Sequence, residues 1–174
     1  MRGELPAGYE FADIAGPVAP TGLWGFGAQW LAEPPRCGVL ADPAVRPDTT
    51  RGWSGSGTGG IVHAVVASTA GGVDPAVTAD CGQWTLSAGR SSGNVTLTPA
   101  STIDGAQTVA TATATTIVVE GGTETRSHAD TVTAYLDGHV AFVTVVTDPG
   151  SPNPQLDADF AATLLVKAVS ALRG

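Results

Sequence analysis

Alternating apolar and polar positions dominate the second half of the chain. Along residues 108–119 the alanines fall on one face of a predicted strand and mostly β-branched side chains fall on the other. Residues 130–136 and 139–147 are predicted to form two further strands, and Asp137 followed by Gly138 between them is typical of a two-residue hairpin turn. The pattern predicts an antiparallel meander.

Shorter patterns predict the elements upstream of the meander. Residues 61–67 form an apolar, β-branched run that is typical of a buried strand, and residues 94–98 form a short alternating strand. Asp74 and Pro75 suit the cap and the first position of a helix, which we expect to continue through Cys81 to Trp84.

Two segments lack a regular pattern. Residues 1–22 are rich in glycine and proline and are predicted to be an extended N-terminal segment. Residues 42–60 are predicted to be a loop, because glycine and serine crowd its second half.

The C-terminal segment predicts one amphipathic helix, from about Asp157 to Leu172. Alanine is a poor strand former, so the alanine face of residues 108–119 calls for a close-packed neighbour, and this helix would supply it. The predicted fold class is therefore α+β. We expect a single antiparallel sheet of about five to six strands flanked by helices, with the C-terminal helix packed on the sheet.

Composition restricts the possible functions. A chain of 174 residues predicts one domain, residues 1–174. Its net charge of −8 disfavours nucleic acid, whose binding depends on neutralising phosphates. No apolar run reaches the roughly 18 residues that a membrane span needs. The three histidines have no metal-ligand spacing, and His63 is expected in the core or at an edge of the sheet. We therefore predict no nucleic-acid partner, no metal and no cofactor.

Cys37 and Cys81 are the two cysteines of the chain. An even pair without nearby metal ligands predicts one structural disulfide, and two free buried thiols are the alternative. Pro35 suits the first turn of a short helix that carries Cys37, and we expect the bridge to tie this helix over the sheet to the helix that contains Cys81. Disulfides persist outside the cytoplasm, so the pair predicts an extracytoplasmic protein whose export signal has been removed. A natural cytosolic start at Met1 is the alternative.

Two motifs match catalytic or phosphate-binding loops without their structural context. Residues 55–60 match G-x-G-x-x-G, but no predicted strand precedes them. Residues 52–56 approach the nucleophile elbow G-x-S-x-G, except that Ser56 occupies the last glycine position. His128 and Asp130 share a predicted strand face, but nothing in their spacing places them near Ser54. We expect that the protein is not an enzyme. The alternative is a serine hydrolase that uses Ser54 or Ser56.

Aromatic residues concentrate in the first third of the chain. They either fill the core beside Cys37 or line a groove for an apolar or glycan ligand. In such a groove, Arg90 and Arg126 would orient an anionic group; otherwise each is a surface arginine. The aromatic candidates for ligand binding are Trp24, Phe26, Trp30 and Trp53.

Seven short segments together resemble a family of mycobacterial secreted lipoproteins of unknown function. They are WGF (24–26), PPRC (34–37), GWSGSG (52–57), CGQW (81–84), VEGG (119–122), TAYL (133–136) and VTDPG (146–150). More distantly, the order of elements and the Cys…Cys-x-x-Trp spacing resemble the extracellular sensor domain of a mycobacterial receptor-type Ser/Thr kinase. That domain is a helix-flanked antiparallel sheet with a ligand cleft, and it carries more cysteines. The resemblance implies an export signal with a lipidated cysteine, which this chain lacks, and defines no catalytic residues.

These observations predict the ectodomain of a cell-envelope lipoprotein without enzymatic activity. We expect it to bind a small or lipidic ligand, or a protein partner, in a sensor-like cleft. The membrane would be reached only through a lipid anchor that is absent from this chain. The alternatives are the serine hydrolase and a purely structural interaction protein, which would show a flat apolar patch.

Overall fold

Nine strands form one antiparallel sheet in the computed structural model, which describes residues 2–174. Their spatial order is β1-β3-β4-β9-β8-β7-β6-β5-β2, so β1 and β2 form the two edges. Each pair of consecutive strands from β5 to β9 is a hairpin, whereas β4 pairs with the distant β9. The strands are β1 (Glu10–Ala15), β2 (Leu31–Glu33), β3 (Arg51–Gly57), β4 (Gly60–Ser68), β5 (Gln83–Ala88), β6 (Ser91–Thr98), β7 (Gln107–Val118), β8 (Glu124–Leu136) and β9 (His139–Thr147).

Helices are few and mostly short. The α-helices are α1 (Pro20–Leu23), α2 (Pro75–Asp80) and α3 (Ala158–Arg173), and the 3₁₀ helices are Arg2–Glu4, Pro35–Leu40 and Pro47–Thr49. Asp157 caps α3 by accepting a hydrogen bond from the N–H of Phe160 at 2.9 Å. No helix among residues 2–174 combines the length and the apolarity that crossing a membrane would need.

The predicted fold class is wrong, because the protein is mostly β and its sheet has nine strands instead of five to six. The predicted loop 42–60 contains β3, and the close packing of the neighbouring strand explains why this strand contains glycine. A Cβ at Gly52 would overlap the carbonyl oxygen of Ala64 on the neighbouring strand. The helix predicted through Trp84 ends at Asp80, and β5 buries Trp84 and Leu86 on alternate positions.

The helix α3 covers one face of the sheet. Its buried residues pack on alanines and valines of β4, β7, β8 and β9, including Ala110 from the alanine face of residues 108–119. The small side chains let the helix lie close to the strands. The principal contacts come from Ala161, Leu164, Leu165 and Val169 on the helix, and from Val62, Ala110, Val132, Ala134, Ala141 and Val143 on the sheet.

The opposite face is covered by irregular chain. Because β1 and β2 lie at opposite edges, residues 16–30 must cross the whole sheet, and residues 34–50 must return to reach β3. We call these segments the outgoing crossing and the return crossing. Trp24 and Phe26 of the outgoing crossing share one buried cluster with Cys37 and Leu40 of the return crossing.

The predicted disulfide is confirmed: Cys37 and Cys81 are bonded, with 5.6 Å between their Cα atoms. Cys37 lies in the Pro35–Leu40 helix, and Cys81 is the C-cap of α2. The bond closes a segment with a sequence separation of 44, which corresponds to about 4 kcal/mol in the chain-entropy account. The return crossing is thus fixed covalently to the connection between β4 and β5.

A buried hydrogen bond from Trp24 anchors the outgoing crossing to the middle of the sheet. Its side chain is 1% exposed, and its Nε1–H donates to Thr131 Oγ1 at 2.9 Å. Thr131 Oγ1 in turn lies 2.9 Å from Thr144 Oγ1 on β9. This buried chain of hydrogen bonds satisfies three polar groups that would otherwise be desolvated without a partner.

We expect Thr131→Val to lower the free energy of unfolding by about 1–3 kcal/mol, because it leaves the Trp24 N–H and the Thr144 hydroxyl without their shared partner. Urea unfolding with the disulfide intact measures the change. Thr116→Val, at a half-buried position of β7, is the matched control and should change stability by less than about 0.5 kcal/mol. Equal stability of the two variants would contradict the role given to Thr131.

Candidate functional site

A groove of about 560 Å³ lies between the outgoing and return crossings. Its walls are largely apolar and include Pro17, Val18, Phe26, Trp30, Pro43 and Val45. Asp42 is the one charged residue among the described residues that line it. The groove therefore joins two aromatic rings, several prolines and a single carboxylate, and its volume lies within the range of small-molecule sites.

The position of Trp30 depends on the segment that carries the disulfide. The indole packs over Gly38, where a Cβ atom would come within 3.0 Å of Cη2 and Cζ3 of the ring. Gly38 directly follows Cys37 in the Pro35–Leu40 helix. A backbone without a side chain at position 38 therefore forms the support for this wall of the groove.

A backbone hydrogen bond joins the two walls. The N–H of Thr21 in the outgoing crossing donates to the carbonyl oxygen of Ala41 at 3.3 Å, and the N–H of Phe26 donates to Thr21 at 3.0 Å. The Phe26 ring is 4% exposed and lies against Gly93 of β6. The first of these bonds connects the two walls directly, and the second orders the outgoing crossing, which carries Phe26.

Asp42 sets the electrostatics of the groove. Partial burial raises the pKa of its carboxyl group. Tyr135 lies in the core, where burial, and then the nearby Asp42 carboxylate, raise the pKa of its hydroxyl to about 12. A carboxylate in this setting accepts hydrogen bonds and repels anions, so the groove favours neutral or cationic ligands.

The structure separates the six predicted ligand-binding residues. Phe26 and Trp30 line the groove, whereas Trp24 is buried beneath the outgoing crossing. Trp53 belongs to the core on the opposite face, where it packs with α3. The two arginines lie elsewhere: Arg90 is exposed in the turn between β5 and β6, and Arg126 is exposed on β8 and paired with Glu124 at 3.0 Å.

The residues of the hydrolase alternative lie on different faces. Ser54 is opposite His63 in the register of β3 and β4, on the face of the crossings. His128 and Asp130, 3.2 Å apart, lie on the α3 face, since their neighbours in the β8 register belong to the α3 core. This geometry does not assemble Ser54 with His128 and Asp130. Among residues 2–174 there is also no group of three or more His, Cys, Asp or Glu side chains suited to a metal ion.

Sequence reasoning missed Asp42 and the prolines of the groove. Pro17 and Pro43 are distant along the chain, and only the pairing of β1 with β3 brings their segments side by side. The local signal available was the proline content of residues 42–47, which indicates a rigid segment but not its neighbour.

Gly38→Ala should displace Trp30, because the added Cβ would be tighter against the indole than ordinary packing allows. We expect a shifted Trp30 indole N–H resonance in ¹H–¹⁵N spectra and a loss of about 1 kcal/mol in stability. Gly22→Ala, which also borders the groove but has open space at its Cβ, is the matched control and should leave the Trp30 resonance in place. An unmoved Trp30 resonance in the first variant would show that Gly38 does not support the ring.

His63 should make stability depend on pH. Its Nδ1 atom is buried without a hydrogen-bond partner among the described residues, and burial lowers the pKa of the side chain from 6.5 to about 4. As pH falls below about 6.5 the unfolded chain binds the proton first, so the free energy of unfolding should fall by about 2–3 kcal/mol between pH 6.5 and pH 4. The measurement is urea unfolding across this range.

His63→Val should remove this component of the pH dependence, whereas His139→Gln, at an exposed position, should retain it. The attribution to His63 fails if the valine variant loses stability with falling pH as steeply as the original chain.

Comparison with known proteins identifies a family and a shared fold. Residues 1–173 match the domain of unknown function DUF5642. An X-ray structure of an uncharacterized protein from Mycobacterium smegmatis has the same fold, with a TM-score of 0.69 and 20% sequence identity, over 99% of this chain and 93% of that chain. No curated protein matches the sequence. The chain therefore belongs to the DUF5642 family.

Proposed function

We propose that this protein is a ligand-binding domain of the cell envelope without enzymatic activity, and that its ligand lies in the groove between the crossings. The observation that carries the proposal is a preformed groove of about 560 Å³. The disulfide fixes the segment that forms one wall, and a backbone hydrogen bond joins that wall to the other. A site that is already formed binds without the cost of ordering its walls.

The lining supports a small neutral or cationic ligand that has an apolar face and hydrogen-bond donors. The half-buried Trp30 ring offers surface for stacking, as sugar rings and flat apolar groups require, while the buried Phe26 adds apolar wall behind it. Asp42 supplies an acceptor for a hydroxyl, an amide or an ammonium group. The net charge of −8 adds to the preference against anionic partners such as nucleic acid.

The disulfide supports a location outside the cytoplasm, where such bonds persist. Together with the resemblance to secreted lipoproteins, it favours an envelope domain that reaches the membrane through a lipid anchor. The sensor-like role follows the same resemblance: the groove would report the presence of a ligand to a partner in the envelope.

A panel of size-matched neutral, cationic and anionic small molecules, including glucosamine and glucuronate, tests the ligand class. We expect the neutral and cationic members to shift ¹H–¹⁵N resonances of residues 17–30 and 42–47, and the anionic members to leave them unchanged. Asp42→Asn should abolish the preference for cations, whereas Asp48→Asn, at an exposed position outside the groove, should preserve it. If no member of the panel perturbs the groove, or if anions bind best, this function is wrong.

A fluorophosphonate probe distinguishes the proposal from the serine hydrolase. We expect no covalent labelling of the intact protein, because Ser54 lies on the opposite face from His128 and Asp130. Labelling that disappears in Ser54→Ala or Ser56→Ala would establish the hydrolase instead.

A further inference from the structure

Another cavity, of about 270 Å³, lies on the α3 face of the sheet, opposite the face that carries the groove. It opens between the last turns of α3 and the strands β3 and β4. The residues that define it are Arg51, Trp53, Ala64, Ala141, Ala168 and Leu172. We call it the alanine cavity.

The alanine cavity exists because small side chains meet where the helix leaves the core. Leu164, Leu165 and Val169 fill the space under the centre of α3. At Ala168 and Ala141 the helix and the sheet both present a single methyl group, so the space between them is not filled. The result is an apolar recess at the end of an otherwise well-packed core.

Trp53 forms a fixed wall of this cavity. Its side chain is 7% exposed and makes an edge contact with Phe11 of β1, with ring centroids 5.7 Å apart. Because the indole is held from the side of β1, it does not need a ligand to define its position.

Arg51 is the one charged residue among the described residues that line the cavity. Its Nη1 atom donates to the carbonyl oxygens of Asp48 at 3.2 Å and Thr50 at 2.7 Å, which anchors the guanidinium on its own segment. No carboxylate among residues 2–174 pairs with it, although four other arginines have carboxylate partners: Arg2, Arg36, Arg46 and Arg126. In a protein of net charge −8, an exposed guanidinium without a carboxylate is available to an external anion.

We propose that the alanine cavity binds the alkyl chain of a single-chain amphiphile whose anionic head group pairs with Arg51. An apolar cavity of about 150 Å³ holds a molecule the size of benzene, so the larger recess accepts a chain of several methylene groups. The head group distinguishes this site from the groove, because Asp42 disfavours the anion that Arg51 attracts. The inference does not depend on the function proposed for the groove.

Decanoate, used below its micellar concentration on the disulfide-intact chain, is the probe. We expect it to shift ¹H–¹⁵N resonances of Arg51, Ala64 and Ala168 in a saturable titration, and we expect decyltrimethylammonium, which has the same chain and the opposite charge, to bind at least about tenfold more weakly. Shifts confined to Phe26 and Trp30 would place the amphiphile in the groove and overturn the proposal.

Two pairs of variants test the two halves of the site. Arg51→Gln should weaken decanoate binding about tenfold, whereas Arg46→Gln, which removes an arginine already paired with Asp48 outside the cavity, should leave it unchanged. Ala168→Leu should fill the recess and abolish binding, whereas Thr163→Leu, at an exposed position of α3, should not.

Melting temperatures of all four variants establish that each is folded. If Arg51→Gln binds decanoate as tightly as the original chain, the head group does not pair with Arg51. If Ala168→Leu binds it as tightly, the alkyl chain does not occupy the cavity. Either result overturns the proposal.

Discussion

The structure depends on one constraint: its wide sheet has two apolar faces to cover, and its one long helix, α3, can cover only one of them. The helix α3 covers one face, and its own hydrogen bonds satisfy its backbone. The other face is covered by the two crossings, whose regular structure is limited to the short helix α1 and two short 3₁₀ helices. Irregular chain loses more entropy on folding than it recovers through local hydrogen bonds, so it must be held by specific attachments. The disulfide between Cys37 and Cys81 and the hydrogen bonds from Trp24 to Thr131 are those attachments.

This difference between the faces explains why the two cavities differ. The two crossings share one buried cluster of side chains but leave an open space beside it, and the groove is that space. Under α3 the side chains pack more regularly, and the alanine cavity remains where Ala141 meets Ala168. The groove is therefore the larger of the two and is bordered by prolines, whereas the alanine cavity is smaller and bordered largely by methyl groups. Their charged residues, Asp42 and Arg51, are both supplied by the return crossing or the strand that directly follows it.

Sequence patterns predicted the strands that are apolar or β-branched along their length and the helix that has an amphipathic period. The strand β9 coincides with the predicted residues 139–147, and β7 and α3 differ from prediction by a residue at most. The strand β3 does not follow from local sequence because contacts with its neighbour select its residues. Gly52 is required where the backbone of Ala64 comes close, and a glycine-rich segment is predicted to be a loop when only local propensity is considered. The edge strands β1 and β2 were missed because they are largely exposed and show little alternation of burial. Undercounting these strands produced the wrong fold class.

The candidate site was predictable only in part, for the same reason. The spacing of Trp24, Phe26 and Trp30 indicated an aromatic segment, but which ring faces a groove is decided by the strands beneath. Trp53 was grouped with them because it is near in sequence, yet the pairing of β3 with β4 turns its side chain to the α3 face. A shift of one position in a strand exchanges the two faces, so the long-range register, not composition, assigns each aromatic residue to its site. The register also separates Ser54 from His128 and Asp130, and in this way one property of the sheet both assigns the aromatic residues to their faces and disperses the residues of the hydrolase alternative.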